Sequence, residues 1–296
     1  MAKYNILFII NPISGGKDKN RVPGLIDSSL DRSKFNASYR VTEYAGHATE
    51  IVEETASLRF DIVIAVGGDG TINEVAAKVM QQGKIFGIIP LGSGNGLARF
   101  LKIPMNSKKA IEVINHFKVA QMDTATFNDH VFFNMAGMGF DAHISAIFAG
   151  NKKRGLTGYV KLGLQEMMNY KPERYRIRVD GRDYERTAFV VSIANSSQYG
   201  NNTYISPLAS VNDGLLDVCV IKSFPMYRIG TLAYYMLTAK THRTDMVEII
   251  RGKNIEIYRE KEAAIHIDGE PLQMGRDLKI EVQPLSLNII VPEEFD

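Results

Sequence analysis

The sequence predicts an α/β protein with a second, β-rich half: a doubly wound α/β nucleotide-binding domain over residues 1–121 and a mainly antiparallel β-sandwich domain over 122–296. Three observations carry this. Short apolar strands alternate with helical segments through roughly the first 120 residues. Glycine-rich loops stand directly after several of those strands. From about Gln121 the helical period gives way to short segments that alternate apolar and polar side chains. A chain of 296 residues has room for two ordinary domains.

The elements follow in order. Tyr4–Ile10 reads as a buried strand that runs into the turn formers Asn11-Pro12-Ile13-Ser14-Gly15-Gly16. Phe35–Val41 is a second, weaker strand. Asp61–Val66 is β-branched and apolar and ends in Gly67-Gly68-Asp69-Gly70. Ile72, Val75, Ala76, Val79 and Met80 then fall on one helical face, and Gly83 ends that helix. Lys84–Ile89 is the next strand, followed by Pro90-Leu91-Gly92-Ser93-Gly94-Asn95-Gly96, and a further helix carries Ala110, Ile111, Val113, Ile114 and Phe117. Strands alternating with helices imply parallel pairing, and ligands bind at the carboxyl ends of such strands. In the second half, Tyr175–Val179 alternates strictly before Asp180-Gly181, a type I′ hairpin signal. Phe189–Ala194, Leu216–Ile221, Ile265–Ile267, Lys279–Val282 and Leu287–Val291 are further short strands, with a helix expected over Met226–Leu237. The last strand is assignable to either domain.

Composition excludes several classes. Apolar residues make up 45% and charged residues 23% of the chain, as in ordinary globular proteins. Lys plus Arg is 35 against 33 Asp plus Glu, a formal net charge of +2, which argues against a nucleic-acid partner. The single Cys219 excludes a disulfide framework and any CxxC site. No apolar run approaches the roughly 18 residues of a membrane helix, and Ile6–Ile10 is too short for a signal peptide's apolar region. A cytoplasmic protein with at most peripheral membrane attachment is expected.

The chemistry concentrates in the loops. Gly67-Gly68-Asp69-Gly70-Thr71-Ile72-Asn73-Glu74-Val75 places three glycines and a carboxylate between a buried strand and a helix start. Glycines let backbone N–H groups approach a phosphate, and a helix N-terminus favours an anion. Asp69 would repel that phosphate unless a metal lies between them, so the pattern points to a Mg²⁺-nucleotide. The competing reading is a tight turn capped by Asp69 or Thr71. Gly92-Ser93-Gly94-Asn95-Gly96 is neither a Rossmann nor a Walker pattern. With Asn11–Gly15, three loops converge on one sheet edge.

These segments carry a family resemblance. Asn11-Pro-Ile-Ser-Gly15, Gly67-Gly-Asp-Gly-Thr-Ile-Asn-Glu-Val75 and Pro90-Leu-Gly-Ser-Gly-Asn95, in that order and spacing, resemble the diacylglycerol kinase catalytic-domain family, which includes sphingosine and ceramide kinases. Asn212-Asp213-Gly214-Leu215-Leu216-Asp217 and Ile267-Asp268-Gly269-Glu270 extend the resemblance over nearly the whole chain. It implies an ATP-dependent kinase of lipid alcohols, with the nucleotide held between the two domains. Matching the family's motifs, Asn11, Pro12, Ile13, Ser14, Gly15, Thr42, Gly67, Gly68, Asp69, Gly70, Thr71, Ile72, Asn73, Gly92 and Ser93 would contact ATP. Asp213, with the carbonyls of Ser210 and Leu215, matches a Mg²⁺ site, and Asp268 and Glu270 match the segment credited with the general base. Read from residues alone, both Asp-Gly pairs are turns, and Asp268→Asn is expected to leave stability nearly unchanged. The chain departs from the family at Gly96, where bacterial members usually carry Asp, and at Lys17, where the basic residue is displaced by one.

Weaker features remain. Lys152-Lys153-Arg154 with Arg174, Arg176 and Arg178 forms either a solvated face or a surface for anionic headgroups. Among the histidines, His47 is a candidate to face the nucleotide. The expected partners are a lipid alcohol and a membrane surface, with a homodimer as one option for assembly. Alternatives to the lipid kinase are a NAD kinase, which shares the Gly-Gly-Asp-Gly loop, and a lipid- or nucleotide-binding module without turnover.

Overall fold

The structure, a computed structural model, describes residues 3–14, 22–92, 94–149, 163 and 165–295. It divides into two compact units, Met1–Asp123 with Pro284–Asp296, and Thr124–Gln283.

In the first unit, β1 (Tyr4–Ile10), β2 (Phe35–Val41), β3 (Ile62–Gly67) and β4 (Ile85–Pro90) form a parallel sheet in the order β2-β1-β3-β4. The last part of β17 (Asp277–Val291) adds beside β4, pairing Asn288 with Ile85 in parallel. β3 is buried along its whole length, which is why its sequence is an unbroken apolar run. The helices α1 (Val22–Ser29), α2 (His47–Glu54), α3 (Asp69–Gln81), α4 (Gly96–Phe100) and α5 (Ser107–His116) connect the strands. α3 buries Thr71, Ile72, Val75, Ala76 and Val79, the stripe that its periodicity predicts. Asn106 caps α5 by accepting from the Lys109 amide at 3.2 Å, and Phe117 ends it in the left-handed region.

The second unit is antiparallel. It contains the ends of β5 (Lys118–Phe127) and β17, with β6 (His130–Phe132), β7 (Met135–Gly139), β8 (Glu173–Val179), β9 (Arg182–Ala194), β12 (Leu216–Lys222), β13 (Val247–Gly252), β14 (Asn254–Arg259), β15 (Ala263–Ile267) and β16 (Glu270–Met274). A short ribbon joins β10 (Gln198–Gly200) to β11 (Thr203–Tyr204). Asp180 and Gly181 have φ of 47° and 82°, the I′ geometry predicted for the β8–β9 hairpin. β9 is long enough to serve three neighbours: its first half pairs β8, and its second half lies between β7 and β12. Tyr175, Ile177, Val191, Val218, Ile255 and Ile280 meet in one apolar core. Two helices interrupt the strands, α6 (Phe140–Ala149) and α7 (Ile229–Leu237), the latter preceded by a 3₁₀ turn at Met226–Arg228.

Several elements differ from expectation. β5, β6, β7, β10, β11, β13, β14 and β16 are strands, and α1, α2 and α6 helices, that the sequence pattern does not single out. The two C-terminal strands are one: β17 runs through Pro284 and Leu285, with Leu285 at φ 49°, where its amide bonds the Asp123 carboxylate at 2.7 Å. That irregularity in mid-strand is what made one strand look like two.

Candidate active site

In the first unit the loops after β1, β3 and β4 are tied to one another by side chains of the motifs themselves. Asp69, the first residue of α3, accepts from the Asn95 amide at 2.8 Å with one carboxylate oxygen and from the Gly96 amide at 2.9 Å with the other. These are the first amides of α4, so Asp69 caps a helix in a different loop. Ser14 Oγ accepts from the Gly68 amide at 3.2 Å, and Asn11 Nδ2 donates to Thr71 Oγ1 at 2.9 Å. Asn95 holds its own turn by donating to the Gly92 carbonyl at 2.6 Å, at φ 51°. The glycines are needed for packing: a Cβ on Gly92 would lie 2.7 Å from the Gly68 Cα, and one on Gly94 2.8 Å from Asp69 Oδ2.

The remaining expected residues of this unit are placed as follows. Asn11 Oδ1 accepts from the Ile13 amide at 3.1 Å in a turn that leaves Ile13 84% exposed beside Pro12. Thr42 is buried at the end of β2, its amide on the Ile10 carbonyl. Gly67 packs against Thr71, and Gly70 and Ile72 lie in the first turn of α3. Asn73 Oδ1 is buried without a hydrogen-bond partner among the described residues. His47 stacks on Tyr44 at 4.5 Å, and its Nδ1 accepts from the Glu43 amide. Gly15, Ser93 and Lys17 lie outside the described residues. The start of a 13-residue helix beside two glycine turns fits a phosphate group, whereas the orphaned Asn73 oxygen, an acceptor, calls for a donor such as a water. Each Asp69 oxygen accepts one amide and keeps acceptor capacity, so the carboxylate would suit a Mg²⁺-nucleotide more than a bare phosphate.

In the second unit, Asp268 and Gly269 have φ of 47° and 91° between β15 and β16. The segment is therefore the I′ hairpin turn that its residues alone suggest. The Asp268 side chain has a further task. Oδ1 accepts from the Asn134 and Met135 amides at 2.9 and 2.8 Å, and Oδ2 from the Phe133 amide at 2.9 Å. Three N–H donors anchor the β6–β7 turn to the β15–β16 turn through one carboxylate. Glu270 is exposed at the start of β16. Beneath this hairpin lies a buried polar group that no spacing signals, because its members are far apart in sequence. His266 Nε2 lies 3.0 Å from Asp141 Oδ2, which also takes hydrogen bonds from Tyr199 and Ser192. Burial, then the Asp141 charge, holds the Tyr199 phenol protonated.

In the loop expected to bind a structural Mg²⁺, the carboxylate is paired with an arginine. Asp213 Oδ1 accepts from the Leu215 amide at 3.0 Å, and Oδ2 is paired with Arg251 at 3.2 Å. The same guanidinium reaches Asp217 at 2.7 Å and the Leu208 carbonyl at 3.1 Å, while Ser210 Oγ bonds Asn212. Arg251 thus supplies positive charge and donors to two carboxylates, Asp213 and Asp217. Among the described residues no group of three or more His, Cys, Asp or Glu side chains is arranged to hold a metal.

The arginines of β8 are likewise committed. Arg174 pairs with Glu185 at 2.6 Å, Arg178 with Asp183 at 2.9 Å, and Arg176 lies 6.0 Å over the Tyr258 ring. Arg174 and Arg178 thus belong to a sheet face of paired charges, and Lys152-Lys153-Arg154 lies outside the described residues. No helix among the described residues is long and apolar enough to cross a membrane.

Comparison with known proteins agrees with this architecture. The diacylglycerol kinase catalytic domain model matches residues 5–127, and the YegS C-terminal NAD kinase beta sandwich-like domain model matches 134–291. A protein of Enterobacter sp. (strain 638) named "Probable lipid kinase YegS-like" is 33% identical over 99% of this chain and 98% of its own. One of the same name from Pectobacterium atrosepticum is 31% identical over 97% and 96%. A crystal structure of a diacylglycerol kinase from Bacillus anthracis superposes with a TM-score of 0.78 over 100% of both chains at 23% identity, which speaks for the fold. The chain belongs to the diacylglycerol kinase catalytic-domain family of lipid kinases.

Proposed function

We propose that this kinase transfers the γ-phosphoryl group of ATP, taken as its Mg²⁺ complex, to the hydroxyl of a lipid alcohol such as diacylglycerol or a sphingoid base. The observation that carries the reading is the Asp69 clasp, which holds the Gly92–Gly96 loop against the start of α3. The first backbone amides of α3, with Asn11, Ser14, Thr42, Thr71 and Asn73 around them, are the groups to receive the phosphates. Ordering these loops before the nucleotide arrives removes a cost from binding and transfer.

In the transfer the alcohol oxygen bonds to the γ-phosphorus as the bond to the β–γ bridging oxygen breaks. ADP leaves with that electron pair, and the alcohol's proton passes to a carboxylate. Asp268 and Glu270 are the candidates for that base. Because three amides engage Asp268, Glu270 is the better of the two, with Asp268 fixing the hairpin that carries it. Peripheral attachment to the membrane that holds the acceptor goes with this reading.

The test is labelled ATP offered with a lipid extract, with NAD in a parallel arm. Label in a lipid that disappears with Asp69→Ala supports the proposal. Label in NAD, or in neither acceptor, refutes it.

A further inference from the structure

We propose that α7 and its flanks form the surface by which this chain docks on anionic phospholipid; the inference rests on the acceptor being a bilayer lipid. α7 reads Ile-Gly-Thr-Leu-Ala-Tyr-Tyr-Met-Leu, yet only Leu232 of it is fully buried. Leu232 and the half-buried Met236 anchor one side of the helix on a core that includes Ile221, Met246 and Val247. The outer side and the turn before it carry Tyr227, Tyr234 and Leu237, which are 84%, 55% and 60% exposed, with Met226 at 40%. Tyr234 and Leu237, three residues apart, share a face of α7, and Met226 and Tyr227 stand exposed on the 3₁₀ turn that leads into it. Such a patch on the outside of a folded unit, rich in aromatic side chains, is the pattern of an interfacial helix.

Charge identifies what covers it. From Val218 to Thr244 the chain holds no Asp or Glu, while Lys222, Arg228, Lys240 and Arg243 are basic. Lys222 and Arg228 are answered by Glu248 and Asp245. Lys240 and Arg243, just past the end of the helix, have no ion pair among the described residues. Cations beside an apolar patch suit a surface of anionic headgroups over hydrocarbon. They disfavour a second copy, because a two-fold contact would set this patch against itself and bring like charges together.

Vesicle flotation tests the assignment, using phosphatidylcholine with and without about a third phosphatidylglycerol, at low and high salt. Leu237 and Arg243 are exposed and Lys240 is half-buried without an ion pair among the described residues, so the melting temperatures of Leu237→Asp and the double variant Lys240→Gln/Arg243→Gln should match the parent's. Binding to the anionic vesicles should fall about tenfold or more in the first, and about fivefold per basic residue in the second. Phosphorylation of a short-chain diacylglycerol dispersed in detergent should be unchanged in both. Variants that float like the parent, or a parent that does not bind anionic vesicles at low salt, overturn the surface. A concentration-dependent dimer that Leu237→Asp dissolves also overturns it, in favour of a second copy. Vesicle binding lost in the variants, with no lipid phosphorylated by the parent, sustains the surface and refutes the lipid-kinase reading instead.

Discussion

Replacing Asp268 by Asn separates a base from a clamp. The carboxylate accepts three backbone amides across 133 to 135 positions of sequence, two on Oδ1 and one on Oδ2. An Asn can turn its carbonyl oxygen to Asn134 and Met135, but its NH₂ then faces the Phe133 N–H, donor against donor. One charge-assisted bond is lost, the other two become neutral, and one amide is left opposed. A hydrogen bond to a charged group contributes about 1.5–3 kcal/mol, so the substitution costs about 2–4 kcal/mol. In a unit of this size each kcal/mol moves the melting temperature by about 2–4 °C, so a fall on the order of 10 °C is expected. This replaces the expectation, drawn from turn chemistry alone, of almost no change. The assay is a thermal melt of Asp268→Asn and Glu270→Gln, with kcat at saturating ATP and lipid. Glu270→Gln should melt like the parent while losing about 10²–10⁴ in kcat, the range for general acid–base catalysis. A dead, fully stable Asp268→Asn beside an active Glu270→Gln would refute the argument and return the base to Asp268.

Three further outcomes are expected. Asp69→Ala, which frees the Asn95 and Gly96 amides, should lower transfer by more than about 10²-fold and weaken ATP binding; activity within a few-fold of the parent would disprove the clasp. The melting temperature of the parent should be the same in EDTA and in Mg²⁺, whereas Arg251→Met, which strands the buried Asp217 carboxylate, should melt lower by an amount worth about 2 kcal/mol; a Mg²⁺-dependent melt of the parent would show a cation in the Ser210–Leu215 loop. Burial, reinforced by a hydrogen bond to Asp27, pushes the Tyr39 phenol from 10.0 to about 12. The native chain therefore keeps this proton where the unfolded chain loses it, and stability should fall as pH rises from about 10 to about 12; in Tyr39→Phe that part of the alkaline loss should vanish.

What the sequence displays depends on how local the physics is. β3 and the buried stripe of α3 are legible because full burial writes a continuous apolar run and helical burial a period near 3.6. The Asp180-Gly181 and Asp268-Gly269 turns are legible because I′ geometry needs two positive φ values, which Asp-Gly accepts at low cost. β7 is not legible: Met-Ala-Gly-Met-Gly has poor strand propensity, and its pairing with β9 and β15 comes from residues over 50 positions away. Its glycines also have a local reason to be there, since Gly139 has φ 98° and a Cβ on it would lie 2.6 Å from the Phe189 carbonyl oxygen. The same limit governs the site. The motifs identify which residues matter, Asp69 and Asp268 among them, but not what their carboxylates touch. In both cases the partners are backbone amides of a distant loop, and any residue but proline supplies an amide. A side chain that binds backbone leaves no mark on its partner's identity, so Asn95, Gly96 and Phe133 give no hint of the acids they hold. Both acidic motifs are therefore first of all devices that join loops, and the chemistry proposed for this kinase is built on the order they impose.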